Sequence, residues 1–228
     1  MPYYLDKYKI FIYNKTNRRR FVKEENMVKR SDKKNELIRI SERLFIEKGY
    51  EETSVDDILN ASGLSKGGFY HYFKSKDEVL TESINNIIEK LLELLEPVVE
   101  DKDLNALEKL KLFLKKKSEL QNSNREYAKY LSMLLKSDFT LYKYYVTVAH
   151  KFVSPLGRII EQGVNEGIFS VKFPYETADI LLRTVVSLPQ SIFYNDYIND
   201  EIKHSNYTIS INDMFVKALG LDSDEEIF

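Results

Sequence analysis

The chain has 228 residues, of which 43% are hydrophobic and 31% are charged, a balance typical of a folded globular protein. It contains no cysteine, which excludes disulfide bonds and thiolate metal sites. The formal net charge is only −2, but residues 1–76 hold 17 basic against 11 acidic side chains, whereas residues 77–228 hold 17 against 25. The positive first third is what a nucleic-acid-binding surface requires, although a merely solvated surface would show the same excess.

The N-terminus predicts neither a membrane anchor nor a signal peptide. No run approaches the ~18 apolar residues that span a bilayer, and MPYYLDKYKIF has charges where a signal peptide is apolar. We therefore expect a cytoplasmic protein without a membrane partner. Residues 1–30 are basic and polar, and we expect them to form a disordered N-terminal extension.

Two helices are predicted next. The first runs from about Ser31 to Lys48 and stops at Gly49. Its inner side is formed by Leu37, Ile38, Leu44 and Phe45. The second lies within SVDDILNASGL, where Ser54 and Asp57 form a capping box, and Gly63 suits a tight turn with positive φ.

The stretch SGLSKGGFYHYFKSKDEVL predicts a short third helix with two different faces. Ser65 is a good N-cap. At about 100° per residue, one side collects Phe69, Tyr72 and Phe73, and the other collects Lys66, Gly67, Tyr70, His71 and Lys74. The first side predicts a core contact and the second a contact surface. Gly67 and Gly68 each cost about 1 kcal/mol in a helix, which indicates close approach of another backbone.

A fourth helix is predicted from Lys76 to Leu95, ending at Pro97. Ser75 and Glu78 form the S-x-x-E capping box that starts it.

These residues carry a resemblance to a known family. Leu37 to Leu80 is similar to the DNA-binding domain of the tetracycline-repressor (TetR) family of bacterial transcription regulators. The positions that match the family pattern are Phe45, Gly49, Tyr50, Thr53, Gly63, Ser65, Gly67, Tyr70, Phe73, Lys76 and Leu80. Ser41 departs from it, because the family usually has Ala there.

The resemblance implies double-stranded DNA as the partner, with a palindromic operator read by a homodimer. The third helix would enter the major groove, with Ser65 at its start. Closest to the DNA would be Lys66, Gly67, Tyr70 and His71. Phosphates would be held by Thr53, Ser54, Lys74 and Lys76.

The remainder of the chain keeps a helical pattern. Segments are predicted from Asp103, over Tyr127–Lys136, over Phe139–Glu166 closed by Gly167, from Pro174 to about Tyr197 with a kink at Pro189, and over Ile209–Leu219. We expect an all-α protein with a three-helix helix-turn-helix head and a six-helix body. The domains would be 1–30, the extension; 31–76, the DNA-binding domain; and 77–228, the effector-binding and dimerisation domain.

The body is rich in aromatic residues, which fill a core or line a pocket. The candidate contacts for a small, apolar effector are Tyr127, Tyr130, Tyr145, His150, Gln162 and Phe193. By resemblance, the last two long helices would form the dimer interface, and the effector would release a repressor from its operator. The alternative is a DNA-bound protein whose body recruits another protein instead of sensing a ligand.

An enzyme is not predicted. No metal-binding, phosphate-loop, dinucleotide or nucleophile motif occurs, and the three histidines are far apart in sequence. We therefore expect neither a cofactor nor a metal.

Overall fold

The computed structural model describes residues 31–123, 125–188 and 201–227, which contain nine helices and no strand. The predicted all-α class, with three helices before residue 76 and six after it, is confirmed. The predicted extension at 1–30, the kink at Pro189 and the candidate contact Phe193 lie outside the described residues. The chain divides into two compact units, and the boundary between them lies between Leu80 and Thr81.

The first unit contains α1 (residues 31–48), α2 (Val55–Ser62), α3 (Lys66–Tyr72) and the first turn of the fourth helix. Its core is mostly apolar: the hydrophobic residues exposed by 2% or less are Leu37, Ile38, Phe45, Ile58, Phe69, Phe73, Val79 and Leu80. Ser41 is also buried, and its hydroxyl donates to the Leu37 carbonyl (2.9 Å) one turn earlier. A serine fits this position because the helix backbone satisfies its hydroxyl.

The second unit begins within α4 (Lys76–Glu100) and continues with α5 (Ala106–Ser123), α6 (Arg125–Leu134), α7 (Asp138–Glu166), α8 (Pro174–Ser187) and α9 (Glu201–Leu219). α7 is its longest helix and ends where predicted, at Gly167 with φ 74°. The ring of Phe152 on α7 meets Phe113 on α5 edge to face, with centroids 6.1 Å apart. α7 therefore forms part of the core of this unit.

Two predicted helix ends were wrong. α4 continues through Pro97 to Glu100, because the proline removes one N–H donor but Val98 and Val99 are buried in the core (3% and 6% exposed). The burial of these two valines offsets the lost hydrogen bond. α9 begins at Glu201 instead of Ile209, because its polar first turns lack the apolar period used to predict it.

Glycines allow close packing against α7. A Cβ on Gly163 would lie 2.1 Å from the Phe169 ring, and one on Gly157 would lie 2.4 Å from the Tyr175 ring. Both distances are far below van der Waals contact, so the aromatic rings rest directly on the α7 backbone.

Gly163→Val is therefore expected to lower the free energy of unfolding by about 1–3 kcal/mol, the usual cost of overpacking a filled core. Urea denaturation of the purified variant measures it. Unchanged stability would contradict the direct contact between the Phe169 ring and the α7 backbone.

Candidate nucleic-acid interface

The turn between α2 and α3 is fixed by local hydrogen bonds. Ser54 Oγ accepts from the Asp57 N–H (3.0 Å), and the Asp57 carboxylate accepts from the Ser54 N–H (2.7 Å), which confirms the predicted capping box. Gly63 ends α2 with φ 66°, the left-handed conformation predicted for it. The chain reverses there, and α3 starts three residues later.

Asp57 is held in its charged form. Lys48 Nζ lies 2.8 Å from the carboxylate, and together with the bonds from Ser54 it pulls the pKa of Asp57 well below its usual range. The same pair connects the end of α1 to the start of α2.

α3 has the two predicted faces. Phe69 and Phe73 are buried (0% and 1% exposed), whereas Tyr70 is 48% exposed and Lys66 and His71 also face solvent. Ser65 caps the helix by accepting from the Gly68 N–H (3.2 Å). The packing thus fixes the helix while its polar side stays uncovered within the described first unit.

Gly67 is not needed for packing against the described residues of the first unit. A Cβ built there meets no atom within 4 Å, and one on Gly68 would make only ordinary contacts at 3.4 Å or more. The expected close approach of another backbone is thus not found among the described residues. Gly67 leaves open space on the exposed face.

Lys74 and Lys76 have different surroundings. Lys74 is exposed, and its backbone N–H donates to Glu78 Oε2 (2.5 Å). Ser75 Oγ accepts from the Glu78 N–H (3.1 Å), so half of the predicted capping box forms as expected, while the Glu78 carboxylate bonds one residue before the predicted position.

The Lys76 ammonium group binds within the first unit. Nζ donates to the carbonyls of Tyr50 (2.6 Å) and Glu51 (3.3 Å) and lies 4.2 Å from the Tyr50 ring centroid. Burial lowers the pKa of Lys76, an effect that Glu51 and Glu52 oppose. Lys76 therefore joins the start of α4 to the turn after α1.

Thr53 also has an internal role. It is 1% exposed, and its hydroxyl donates to the Gly49 carbonyl (2.7 Å). The phosphate contacts assigned to Thr53 and Lys76 stay predictions. The sequence does not predict these internal hydrogen bonds, because the carbonyls that accept them belong to Gly49, Tyr50 and Glu51, in the irregular segment after α1.

In the second unit, two of the predicted effector contacts lie along the groove between α7 and α8, called here the α7/α8 groove. One part of about 410 Å³ is lined by Tyr145 and by residues of α8 up to Ser187. A more open part of about 780 Å³ is lined by His150 and Tyr175. The two parts share Val146, Ala149 and Arg183.

Tyr145 is the notable polar group of the α7/α8 groove. Its hydroxyl is buried and has no hydrogen-bond partner among the described residues. Burial raises the pKa of Tyr145 to about 12, so the phenol stays neutral and able to donate.

Two other predicted effector contacts, Tyr130 and Gln162, lie outside the α7/α8 groove. Tyr130 is buried (2% exposed), with its hydroxyl 2.6 Å from Ser83 Oγ, and the Gln162 amide donates to the Leu104 carbonyl (3.1 Å). The side chain of Tyr127 lies outside the described part of the chain. Val146 also lines the groove and was not predicted, although the spacing of Tyr142, Tyr145, Val146 and Ala149 marks one face of a helix.

Two family models match this chain. Residues 37–82 match the family of bacterial regulatory proteins called tetR, and residues 119–213 match the tetracyclin repressor-like C-terminal domain. Together they cover more than half of the chain. With the helix-turn-helix described above, they define a DNA-binding transcription regulator. The chain belongs to the tetR family.

Curated relatives match about a third of this chain. The transcriptional repressor KstR2 of Mycobacterium tuberculosis is 31% identical over 80 residues, which cover 35% of this chain and 40% of that protein. The transcriptional regulator YerO of Bacillus subtilis is 35% identical over 71 residues, which cover 31% of this chain and 25% of that protein. The chain thus spans less than half the length of these relatives.

Solved structures share the fold over most of the chain. The SmeT–triclosan complex has a TM-score of 0.62 at 18% identity, covering 82% of this chain and 91% of SmeT. SmeT is the repressor of a Stenotrophomonas maltophilia multidrug efflux pump. GusR of Salmonella enterica has a TM-score of 0.58 at 16% identity, covering 83% and 96%. Identities this low establish the fold alone.

No helix among the described residues is long and apolar enough to cross a membrane.

Lys74, just before α4, and Lys76, its first residue, give one prediction. Lys76→Ala is expected to lower the free energy of unfolding by about 1.5–3 kcal/mol, the contribution of a charged hydrogen bond. The matched variant Lys74→Ala should melt like the wild type but reduce the salt slope of DNA binding by about one unit, as loss of one phosphate contact does. Thermal melts and binding at several salt concentrations separate the two. Equal melting of both variants would contradict the role given to Lys76.

Gly67 gives a second prediction. Gly67→Ala is expected to raise stability by up to about 1 kcal/mol through helix propensity, because its methyl group meets no protein atom. The same methyl group should weaken DNA binding by occupying the exposed face. Denaturation and DNA titration of one variant test both effects, and tighter or unchanged DNA binding would show that Gly67 lies away from the DNA.

Proposed function

We propose that the protein is a homodimeric transcriptional repressor that binds a palindromic operator through α3. The observation that carries this proposal is the two-sided α3, anchored by Phe69 and Phe73 and exposing Lys66, Tyr70 and His71. A short helix held after a tight turn suits the major groove, and a symmetric dimer presents two such helices to half-sites about 34–36 Å apart. The match of about a third of the chain to the repressor KstR2 supports this direction of regulation.

We propose DNA contacts mainly for residues that are exposed on the first unit. Lys66, Gly67, Tyr70 and His71 would lie nearest the bases, and Ser54, Ser65 and Lys74 would bind phosphates. Thr53 and Lys76 are also proposed to lie next to phosphates, in addition to the hydrogen bonds that they make inside the first unit. We assign residues 31–76 to DNA binding, residues 77–228 to effector binding and dimerisation, and residues 1–30 to an extension.

Apolar surface on the last two described helices supports the dimer. Ile180 on α8 is 64% exposed and Ile209 on α9 is 57% exposed. Large exposed aliphatic side chains on adjacent elements are favourably buried by a second copy. We propose that α8 and α9 pair with their copies.

The effector is proposed to bind in the α7/α8 groove. Tyrosines and aliphatic side chains line most of it, and the Tyr145 hydroxyl, which has no partner among the described residues, offers one hydrogen bond to a bound molecule. His150 and Arg183 lie along the same groove. A small, mostly apolar compound with one polar group fits this lining, and the SmeT structure shows triclosan bound to a protein of the same fold.

A specific observation favours the second candidate function, recruitment of a protein partner. Phe139, Tyr142 and Val146 of α7 are 45–65% exposed at helical spacing, which forms an apolar stripe. Such a stripe suits a partner helix as well as a ligand entrance.

Selection of duplexes from a random DNA library by the full-length wild-type protein tests the proposal. We expect an inverted repeat to be enriched, and Tyr70→Ala and His71→Ala to bind it about tenfold or more weakly while melting like the wild type, as loss of a base contact does. Enrichment of no duplex would refute operator binding.

The same duplex distinguishes the two functions of the body. Release by small apolar compounds, with triclosan as the first probe, supports a ligand sensor. Release by none of a diverse set, together with a protein partner whose binding is lost in Tyr142→Ser, supports recruitment.

A further inference from the structure

The part of the α7/α8 groove that contains Tyr145, called here the Tyr145 part, has a single charged side chain in its lining. Arg183 is the one residue among those lining it that is ionised at neutral pH, and the others are tyrosines, aliphatic residues, Thr184 and Ser187. The carboxylates of Glu176 and Asp179 line only the more open part. The lining of the Tyr145 part therefore favours a negative group on a ligand.

Asp179 holds the Arg183 side chain through one nitrogen only. Nε of Arg183 donates to both carboxylate oxygens of Asp179, one helical turn earlier on α8, at 2.9 Å each. The two terminal nitrogens, which carry most of the N–H donors of a guanidinium group, bond to no described residue. Asp179 thus orients Arg183 and leaves its planar fork of donors for another acceptor.

The hydroxyl groups of the Tyr145 part add a second donor. Thr184 Oγ1 donates to a backbone carbonyl one turn earlier in α8 (2.9 Å), and Ser187 Oγ donates to the carbonyl of Thr184 (3.0 Å). Both side chains have therefore used their hydrogen within α8. The buried Tyr145 hydroxyl bonds to no described residue, and burial raises the pKa of Tyr145 to about 12, so the phenol keeps its proton at neutral pH. The donors left for a ligand belong to Tyr145, Arg183 and the solvent-facing Tyr142.

The remaining lining of the Tyr145 part is apolar. Val146 and Ala149 contribute from α7, and Leu182 and Val186 contribute from α8. The volume of about 410 Å³ lies within the range of about 300–1,000 Å³ that is usual for small-molecule sites. A ligand that fits this part therefore has an apolar body and one group that accepts hydrogen bonds and carries negative charge.

We propose that the effector is an amphipathic monocarboxylic acid, bound with its carboxylate on Arg183 and the Tyr145 hydroxyl and with its apolar body between α7 and α8. An ionised carboxylate has acceptors only, so it satisfies both donors, and a guanidinium group can bind it through two parallel N–H···O bonds. An alcohol would bring no charge to Arg183, and an ammonium group would meet a like charge there. This inference rests on the proposed effector site and narrows its ligand to one chemical class.

The more open part of the groove favours a different ligand. Glu176 and Asp179 line it, and the Tyr175 hydroxyl there donates to the Glu161 carboxylate (3.2 Å). An organic cation would be attracted to these carboxylates, away from the Tyr145 hydroxyl. Preference for a cation over an acid would therefore place the ligand in the open part.

Three probes with the same apolar body separate the effect of the head group: decanoate, 1-decanol and decyltrimethylammonium. Calorimetric titration of the full-length wild-type protein at neutral pH measures each affinity. We expect decanoate to bind about fivefold or more tightly than 1-decanol, the gain from a charge-assisted hydrogen bond reduced by the 63% exposure of the Arg183 side chain, and the cation to bind most weakly. Equal affinities for decanoate and 1-decanol, or tightest binding of the cation, would overturn the proposal.

Variants of the two donors test their separate roles. Arg183→Gln should reduce the preference for decanoate over 1-decanol to within about twofold and leave the affinity for 1-decanol unchanged, which shows that the groove is intact. Arg183→Lys should keep part of the preference, because it retains the charge and loses the planar fork. Tyr145→Phe should weaken both probes about threefold or more, because each accepts a hydrogen bond from the phenol. An undiminished preference in Arg183→Gln would contradict the assigned carboxylate contact.

Matched controls make the same changes outside the groove. Lys217 is exposed on α9 and, like Arg183, pairs with an acidic residue one turn earlier, Asp213 (3.8 Å). Tyr144 precedes Tyr145 and lines neither part of the groove. Lys217→Gln and Tyr144→Phe are expected to bind all three probes within about twofold of the wild type, as substitutions away from a binding site do. Losses as large as those in Arg183→Gln and Tyr145→Phe would overturn the proposal.

Release of DNA is measured separately on the selected duplex. If decanoate binds with the expected preference but leaves the duplex bound, the ligand class stands and the proposed release by an effector fails. If none of the three probes binds, the ligand class is overturned, while selection of a duplex by the wild-type protein still decides operator binding.

Discussion

The burial of two phenylalanines under α3 is the constraint on which the first unit depends. A helix of seven residues is too short to persist in water, since isolated helices shorter than about 12–15 residues are marginal. Phe69 and Phe73 supply the missing stability by entering a core with Phe45 and Ile58, where all four are 1% exposed or less. Because they bind α3 from one side only, no described residue of that unit covers its other side.

Some cationic side chains of the first unit face solvent, and others bind groups within the unit. Lys66 and Lys74 face solvent, whereas Lys76 donates to the Tyr50 and Glu51 carbonyls and Lys48 pairs with Asp57. The second pair of lysines holds the turn after α1, which supports α2 and therefore the turn before α3. The number of basic residues overstates the positive charge that is available to DNA, because Lys48 and Lys76 are bonded to groups within the unit.

In the second unit, α7 is the element on which several contacts converge. Gly157 and Gly163 admit aromatic rings onto its backbone, Phe152 packs on Phe113, and its cations bind the carboxylates of α4. The α7/α8 groove is lined by a different face of α7 from the one that carries these cations. The helix is therefore held by packing on one side and by ion pairs on another.

The sequence by itself determined the all-α class, the order of the helices, and the features made within one helical turn. The Ser54 cap, the stops at Gly49, Gly63 and Gly167, and the buried and exposed faces of α3 were all predictable, since each depends on residues three or four positions apart. Tertiary structure decided other features: the continuation of α4 through Pro97, the bonds of Lys76 to the carbonyls of Tyr50 and Glu51, the α7/α8 groove and the polar contacts between α4 and α7. These features join residues far apart in the chain, and the helical period shows which face of a helix is apolar without showing which other helix that face meets.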